Sequence, residues 1–181
     1  MPKIIDNLRQ KLIDETKRQI ESVGYGETTV RSVAAGCGVG VGTVYNYFPS
    51  KDAMTAAWML QDWEQTLHSL SPVCRESGDV ETMLRAVYEA IDRFTQAHGA
   101  LFRDPAAQKA FSGAAWQYHG TLRAQIAALL EPLCMRLRLS QPQFRAQFAA
   151  ESLLTWTAAH TPFDVLAPVL GDLFHKTTES Q

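Results

Sequence analysis

Seven side chains between residues 29 and 51 suit one kind of chemistry, the recognition of a phosphate backbone with base edges within reach: Thr29, Arg31, Thr43, Tyr45, Asn46, Tyr47 and Lys51. The Tyr45 and Tyr47 hydroxyls can donate to phosphate oxygens, and Thr43 can bond a phosphate or touch a thymine methyl. Asn46 has the paired donor and acceptor that match adenine, and Arg31 can serve a base or a phosphate. Gly42 lets a backbone approach closely. Lys51 adds a positive charge where Ser50 can cap a new helix, so ammonium and free backbone N–H groups combine as an anion site.

These residues need a scaffold that turns them outward together. Ile5, Leu8, Leu12, Thr16, Ile20 and Val23 recur at steps of three and four, which marks one face of a first helix, and Gly24-Tyr25-Gly26 stops it. Thr29 is a suitable N-cap for a short second helix carrying Val30, Val33 and Ala34. Gly36, Gly38, Gly40 and Gly42 crowd a turn, and a third short helix follows over roughly Val41 to Tyr47. Phe48-Pro49-Ser50 ends it. Val33, Ala34, Val39, Val44 and Phe48 form a small apolar wedge; Val44 and Phe48, four apart, share its buried side. Cys37 falls where a small residue must pack inside. Helix, tight turn and helix of this size is the unit that places a recognition helix in the DNA major groove.

The stretch from Thr28 to Lys51, above all Gly42-Thr43-Val44-Tyr45-Asn46-Tyr47-Phe48 followed by Ser50-Lys51, resembles the DNA-binding signature of the tetracycline-repressor (TetR) family. The likeness covers about the first 55 residues; beyond them it is one of length and helicity only. It implies an all-α fold of about nine helices, with a three-helix head over 1–51 and a helical ligand-binding and dimerisation domain over 52–181. It also implies a homodimer on a pseudo-palindromic, double-stranded operator and repression relieved by a ligand. Thr29, Arg31, Thr43, Tyr45, Asn46, Tyr47 and Lys51 match positions of DNA contact. Two positions depart: Gly40 stands where the family often has Ser, and Val41 where it often has a polar or basic residue. Glycine caps a helix only a few tenths of a kcal/mol less well than serine, whereas Val41 removes one polar contact.

The rest of the chain also reads as helical. A fourth helix runs from Lys51 to about Leu70, with Pro72 just beyond; a fifth, capped by Asp79, carries Val80, Met83, Leu84, Val87, Tyr88, Ile91 and Phe94. Residues 100–139 are helical with interruptions at Pro105, Gly113 and Gly120, as one bent helix or two. Pro142 opens another helix that ends near His160, and Thr161-Pro162 repeats the start signal. Pro168 either kinks the last helix or marks its beginning. Phe144, Phe148, Leu154, Trp156, Phe163, Leu166, Val169, Leu170 and Leu173 exceed what one small core needs, so the last two helices are expected to pair with their copies. Trp63, Tyr88, Phe94, Trp116, His119 and Trp156 are candidates to line a pocket for an apolar or aromatic small-molecule effector. The fourth helix, joining head to body, is the natural lever.

Composition narrows the alternatives. The chain has 181 residues, 46% of them hydrophobic, enough for a sizeable core. Its net charge is −2, but residues 1–51 hold seven Lys/Arg against five Asp/Glu, a mildly basic head on a body of −4. No run of about 18 apolar residues can span a membrane. The N-terminus lacks a signal core, and the odd three cysteines suit free thiols, so a cytoplasmic location, at the nucleoid when bound to DNA, is expected. His98, His119 and His160 have no paired metal-ligand spacing; no phosphate loop or nucleophile–base pair stands out, and neither metal, cofactor nor catalysis is expected. An activator or architectural DNA binder without a ligand stays open, as do an all-helical enzyme with a vestigial head and a protein-interaction module. They would show, in turn, no ligand-sized cavity, a polar catalytic cluster, and an apolar patch left exposed after dimerisation.

Overall fold

The computed structural model describes residues 7–113 and 115–175, except for the side chains of 115–117. Ile5 of the expected first-helix face and the Trp116 side chain lie outside the described residues. Among the described residues there are ten helices and no strand. The chain divides into two compact units, one reaching Trp63 and taking back Ala97–Gly113, the other formed by Glu64–Gln96 and the residues after Gly113.

In the first unit, α1 (Leu8–Val23) buries Leu8, Leu12, Ile13, Thr16 and Ile20 along one side, the stripe expected of a helix packed on one face. It ends at Gly24, whose φ of 89° suits glycine, and the Gly24 N–H bonds the Ile20 carbonyl at 3.0 Å. The next helix, α2 (Val30–Gly36), opens with a reciprocal cap: Ser32 N–H donates to Thr29 Oγ1 and Thr29 N–H to Ser32 Oγ, both at 3.0 Å. It closes with Gly38 N–H on the Ala35 carbonyl and Val39 N–H on the Ala34 carbonyl, a Schellman turn whose left-handed position is Gly38 (φ 66°). That turn sets the short reversal into α3 (Val41–Tyr45). α4 (Lys51–Glu76) starts on Ser50, whose Oγ accepts from Ala53 N–H at 3.1 Å.

This unit is larger than a head of residues 1–51. Met54 and Trp58 of α4, Leu101 of α6 (Gly99–Arg103) and Ala107 of α7 (Pro105–Phe111) complete the apolar core that holds Leu12, Ile13, Val33, Val44 and Phe48. One longer helix and two short ones bury too little apolar surface alone, and the added helices supply the rest. Asp104 caps α7 through Ala106 and Ala107 N–H and also accepts Gly26 N–H at 3.2 Å, tying the α1–α2 loop to α7. Cys37 packs half-buried with Sγ 3.4 Å from the Lys11 carbonyl, and burial pushes its thiol up from the ordinary value.

In the second unit, α4 continues to Glu76 rather than stopping near Leu70, and Pro72 lies inside it. A proline removes one helix N–H and crowds one carbonyl; Pro72 is exposed, so water can take the freed carbonyl, while buried Leu70 and Cys74 hold the turn. Arg136 donates to the Arg75 carbonyl in the last turn at 3.4 Å and to the Ser77 carbonyl just past it at 2.9 Å. α5 (Val80–Ala97) is capped by Asp79, which accepts Thr82 N–H at 2.7 Å, and buries Met83, Leu84, Val87, Ala90 and Ile91.

Between them, α6 and α7 break at Pro105 and α7 ends before Gly113, but Gly120 interrupts nothing: α8 (Ala115–Arg136) runs through it. α8 packs along α9 (Pro142–Ala158); Ile126, Leu130, Leu133 and Cys134 of the one and Ala146, Ala149, Ala150 and Leu153 of the other are buried. The three alanines allow a close approach. α10 (Phe163–Asp172) contains Pro168 within it, exposed like Pro72. Tyr88 fixes α5 to its start, donating to the Thr161 carbonyl at 2.9 Å with its ring 5.4 Å from that of Phe163.

Candidate nucleic-acid interface

The apolar wedge closes as its spacing requires. Val33, Ala34, Val44 and Phe48 are buried and Val39 and Val41 pack partly against them. With Val44 and Phe48 turned inward, the intervening residues are turned out: Tyr45, Asn46 and Tyr47 are exposed, as is Gly42, and Thr43 is half-buried. Two tyrosines about half exposed, Tyr45 at the end of the five-residue α3 and Tyr47 in the turn after it, leave their hydroxyls for an external acceptor (54% and 47%). Arg31 is exposed on α2.

Thr29 and Lys51 have work within the protein. The Thr29 hydroxyl caps α2 and also donates to Ser32 Oγ at 3.1 Å. Ser32 Oγ in turn donates to Gln19 Oε1 at 2.5 Å, and Gln19 Nε2 donates to Glu15 Oε1 at 2.7 Å. Arg18 completes the chain with two bonds to the Glu15 carboxylate (2.6 and 2.7 Å), which hold that carboxyl below its ordinary value against the opposing effect of burial. The start of α2 is thus fastened to α1 by a continuous polar relay.

Lys51 is half-buried; its Nζ donates to the Tyr25 carbonyl at 2.7 Å and lies 3.9 Å from the centre of the Tyr25 ring. Burial pulls its ammonium below the ordinary lysine value, against the charges of Asp52, Asp104 and Glu27. Tyr25 is itself buried and donates its hydroxyl to Asp52; burial, then Asp52, pushes that hydroxyl well above the tyrosine range. An ammonium has three donors, and the Tyr25 carbonyl takes one of them.

Two participants escaped the sequence reading. Arg9 counted only as charge, yet its guanidinium lies 5.2 Å from the Phe48 ring centre, beside the end of α3. Tyr25 read as part of a helix stop, yet it seats Lys51. No local spacing signals either contact.

The candidate effector residues fall in different settings. Trp63 is buried in the first unit. In the second, Tyr88 is engaged by Thr161 and Phe163, and Phe94 is half-buried on α5. His119 lies 3.0 Å from Glu151 Oε1, with Arg123 at 3.4 Å from Oε2. Burial acts to raise the Glu151 carboxyl, but His119, Thr155 and Arg123 outweigh it and hold it below its ordinary value. Trp156 is exposed on α9.

A wedge-cored helix pair that presents tyrosines, an asparagine and a lysine-bearing helix start defines a helix-turn-helix DNA-binding protein. Residues 12–57 match the family described as bacterial regulatory proteins, tetR family. The chain is similar to the HTH-type transcriptional regulator BetI of Cronobacter sakazakii, 27% identical over 147 residues that cover 80% of this chain and 73% of that protein. Its fold resembles FadR of Thermus thermophilus, a TetR-family repressor solved in complex with lauroyl-CoA (TM-score 0.61, 19% identity, 96% of this chain and 98% of that one). It also resembles the fatty acid degradation regulator FadR of Bacillus halodurans (TM-score 0.59, 18% identity, 98% and 99%). Among the described residues no helix is long and apolar enough to cross a membrane, and no group of His, Cys, Asp and Glu is arranged to hold a metal.

Proposed function

We propose that the protein is a cytoplasmic repressor that binds a pseudo-palindromic operator as a homodimer and leaves it when a small apolar or aromatic effector binds its C-terminal domain. The observation that carries the DNA contact is the outward set Tyr45, Asn46 and Tyr47 over the buried Val44 and Phe48. In the dimer, two such helices enter successive major grooves about 34 Å apart. Tyr45, Tyr47, Thr43 and Lys51 hold phosphates, with Thr29 and its cap at the start of α2; Asn46 reads a base, and Arg31 serves either.

The second copy docks on the faces of α9 and α10. Of the sequence set there, Leu154, Phe163, Leu166 and Leu170 are buried within the unit and Leu173 is half-buried, while Phe144, Phe148 and Trp156 of α9 and Val169 of α10 remain open to solvent, joined by Val165. Phe144 and Phe148 lie four apart with rings 6.3 Å from each other, an exposed aromatic pair on one face of α9. Pairing α9 and α10 with their copies as a four-helix bundle removes it from water.

The effector acts by preferring one separation of the two heads over another, since affinity shifts only by that preference. The test is binding of the purified protein to DNA flanking its own gene against a scrambled duplex, followed by a screen of apolar and aromatic small molecules for release. Selective binding and release by one compound support the reading. Selective binding that no effector alters favours the architectural or activator alternative.

A further inference from the structure

Three residues of α1 at steps of four, Lys11, Glu15 and Gln19, meet α2 in turn. The Lys11 carbonyl lies 3.4 Å from Cys37 Sγ, the Glu15 carboxylate rests on Gly36, and Gln19 Oε1 takes the Ser32 hydroxyl at 2.5 Å. A Cβ at residue 36 would stand 2.1 Å from Glu15 Oε1, so glycine is what admits the carboxylate. All of these groups belong to the first unit.

The hydrogen bonds along this stripe have a fixed direction. Glu15 takes two bonds from Arg18, at 2.6 and 2.7 Å, and a carboxylate only accepts. Gln19 must therefore turn its amide N–H toward Glu15, at 2.7 Å, which leaves its carbonyl oxygen for α2. That oxygen also only accepts, so the Ser32 hydroxyl hydrogen goes to it. The Ser32 oxygen is then left to receive the N–H and the hydroxyl of Thr29, at 3.0 and 3.1 Å. Orientation thus passes from Glu15 through Gln19 and Ser32 to the start of α2, where Thr29 and exposed Arg31 stand. Ser32 does not need Gln19 to be satisfied, because the Thr29 carbonyl, 2.9 Å away, can take the same hydrogen. What Gln19 adds is the fastening of α2 to α1.

We infer that Gln19, oriented by Glu15, is a positioning residue for DNA binding: it holds the first turn of α2 on α1 so that Arg31 meets the operator in one place. The inference rests on the DNA-binding reading above. Without the fastening, Arg31 is spread over several placements, and affinity falls by the share of the competent one.

The test measures the affinity of the full-length protein for a duplex selected by the wild type from a random library. Arg31→Ala is expected to weaken binding about tenfold, the scale of one lost charge-assisted contact. Gln19→Met keeps the length of the side chain and none of its hydrogen bonds. It is expected to weaken binding about fivefold, with the melting temperature within a few degrees of wild type. Gly36→Ala removes no bonding group and favours the helix, yet pushes the Glu15 carboxylate off its seat, and is expected to weaken binding as Gln19→Met does. The discriminating readout is the pair of double variants. Gln19→Met should cost less than about twofold on top of Arg31→Ala, because it acts through that residue, and keep its full effect beside Asn46→Ala. A folded Gln19→Met or Gly36→Ala that binds within twofold of wild type overturns the inference and leaves the DNA-binding reading intact. So do full additivity of Gln19→Met with Arg31→Ala, and an Arg31→Ala that binds like wild type. Should one of Gln19→Met and Gly36→Ala not fold, the other decides. A wild type that selects no duplex overturns both readings.

Discussion

Lys51 reaches back across the head to seat on Tyr25, donating to its carbonyl at 2.7 Å with the ammonium 3.9 Å from the centre of its ring. The lysine therefore does two jobs, and its removal should show both. Lys51→Ala is expected to weaken binding to all DNA sequences alike and to lower the salt slope of log K by about 1. It should also loosen the α1–α2 loop, visible as faster amide exchange around Tyr25 and Gly26. Tyr47→Phe, which removes only an outward hydroxyl, should weaken binding uniformly without the exchange effect. Titrations on specific and random duplexes at several salt concentrations separate the two.

Asn46 stands apart from these phosphate-directed groups. It is exposed on the turn after α3, between the two tyrosines. Asn46→Ala is expected to erase most of the penalty for a wrong base at one position, about 1–3 kcal/mol in a bidentate contact, with a smaller loss on random DNA. Competition among single-base variants of the selected duplex checks this; uniform weakening would assign Asn46 to the backbone.

Acid should release the α1–α2 loop through Asp104. Burial acts to raise this carboxyl, but the N–H groups of Ala107, Gly26, Ala106 and Tyr25 outweigh it and hold it below its ordinary value. A carboxyl depressed in the folded state contributes stability above its unfolded pKa of about 3.9. That contribution is lost as pH falls below this value and through the lower folded one. Asp104→Asn is expected to flatten this part of the acid limb in thermal melts between pH 6 and pH 2.5, and to speed exchange at Gly26.

Arg138 offers a gain. Its φ is 55°, with Arg138 N–H on the Met135 carbonyl and Leu139 N–H on that of Cys134, a Schellman ending with a side chain where glycine is favoured. Arg138→Gly is expected to stabilise the second unit by about 1 kcal/mol, measured by denaturant unfolding.

The exposed aromatic pair on α9 predicts the oligomeric state. Phe148→Glu places a charge in it, and sedimentation velocity at micromolar concentration should show monomer with unchanged helicity, where the wild type shows dimer. Equal dimerisation in both would remove the α9–α10 face from the account.

The head was legible in sequence because local rules decide it. The glycine crowding around Gly38 and the four-residue step from Val44 to Phe48 fix turn and buried face together. Pro72 misled as a helix stop, and the role of Pro168 stayed open, because a proline's cost depends on whether water reaches the freed carbonyl. That is a property of the folded surface. The extent of the first unit, the Asp104–Gly26 tether and Arg9 on Phe48 join residues up to 78 apart in sequence, and nothing local encodes such contacts. The effector candidates were drawn from aromatic content alone, which does not distinguish Tyr88, engaged by Thr161, from Trp156, open to solvent.

The central claim is sequence-selective DNA binding through α2 and α3. Its most direct test is selection from a random duplex library by the full-length protein, with the salt dependence of the winning sequence. The account predicts a two-fold symmetric consensus, affinity that falls steeply with salt, and loss of the consensus in Asn46→Ala with retained non-specific binding. A folded protein that enriches no sequence, or enriches one equally well with Tyr45, Asn46 and Tyr47 all replaced by alanine, would contradict it.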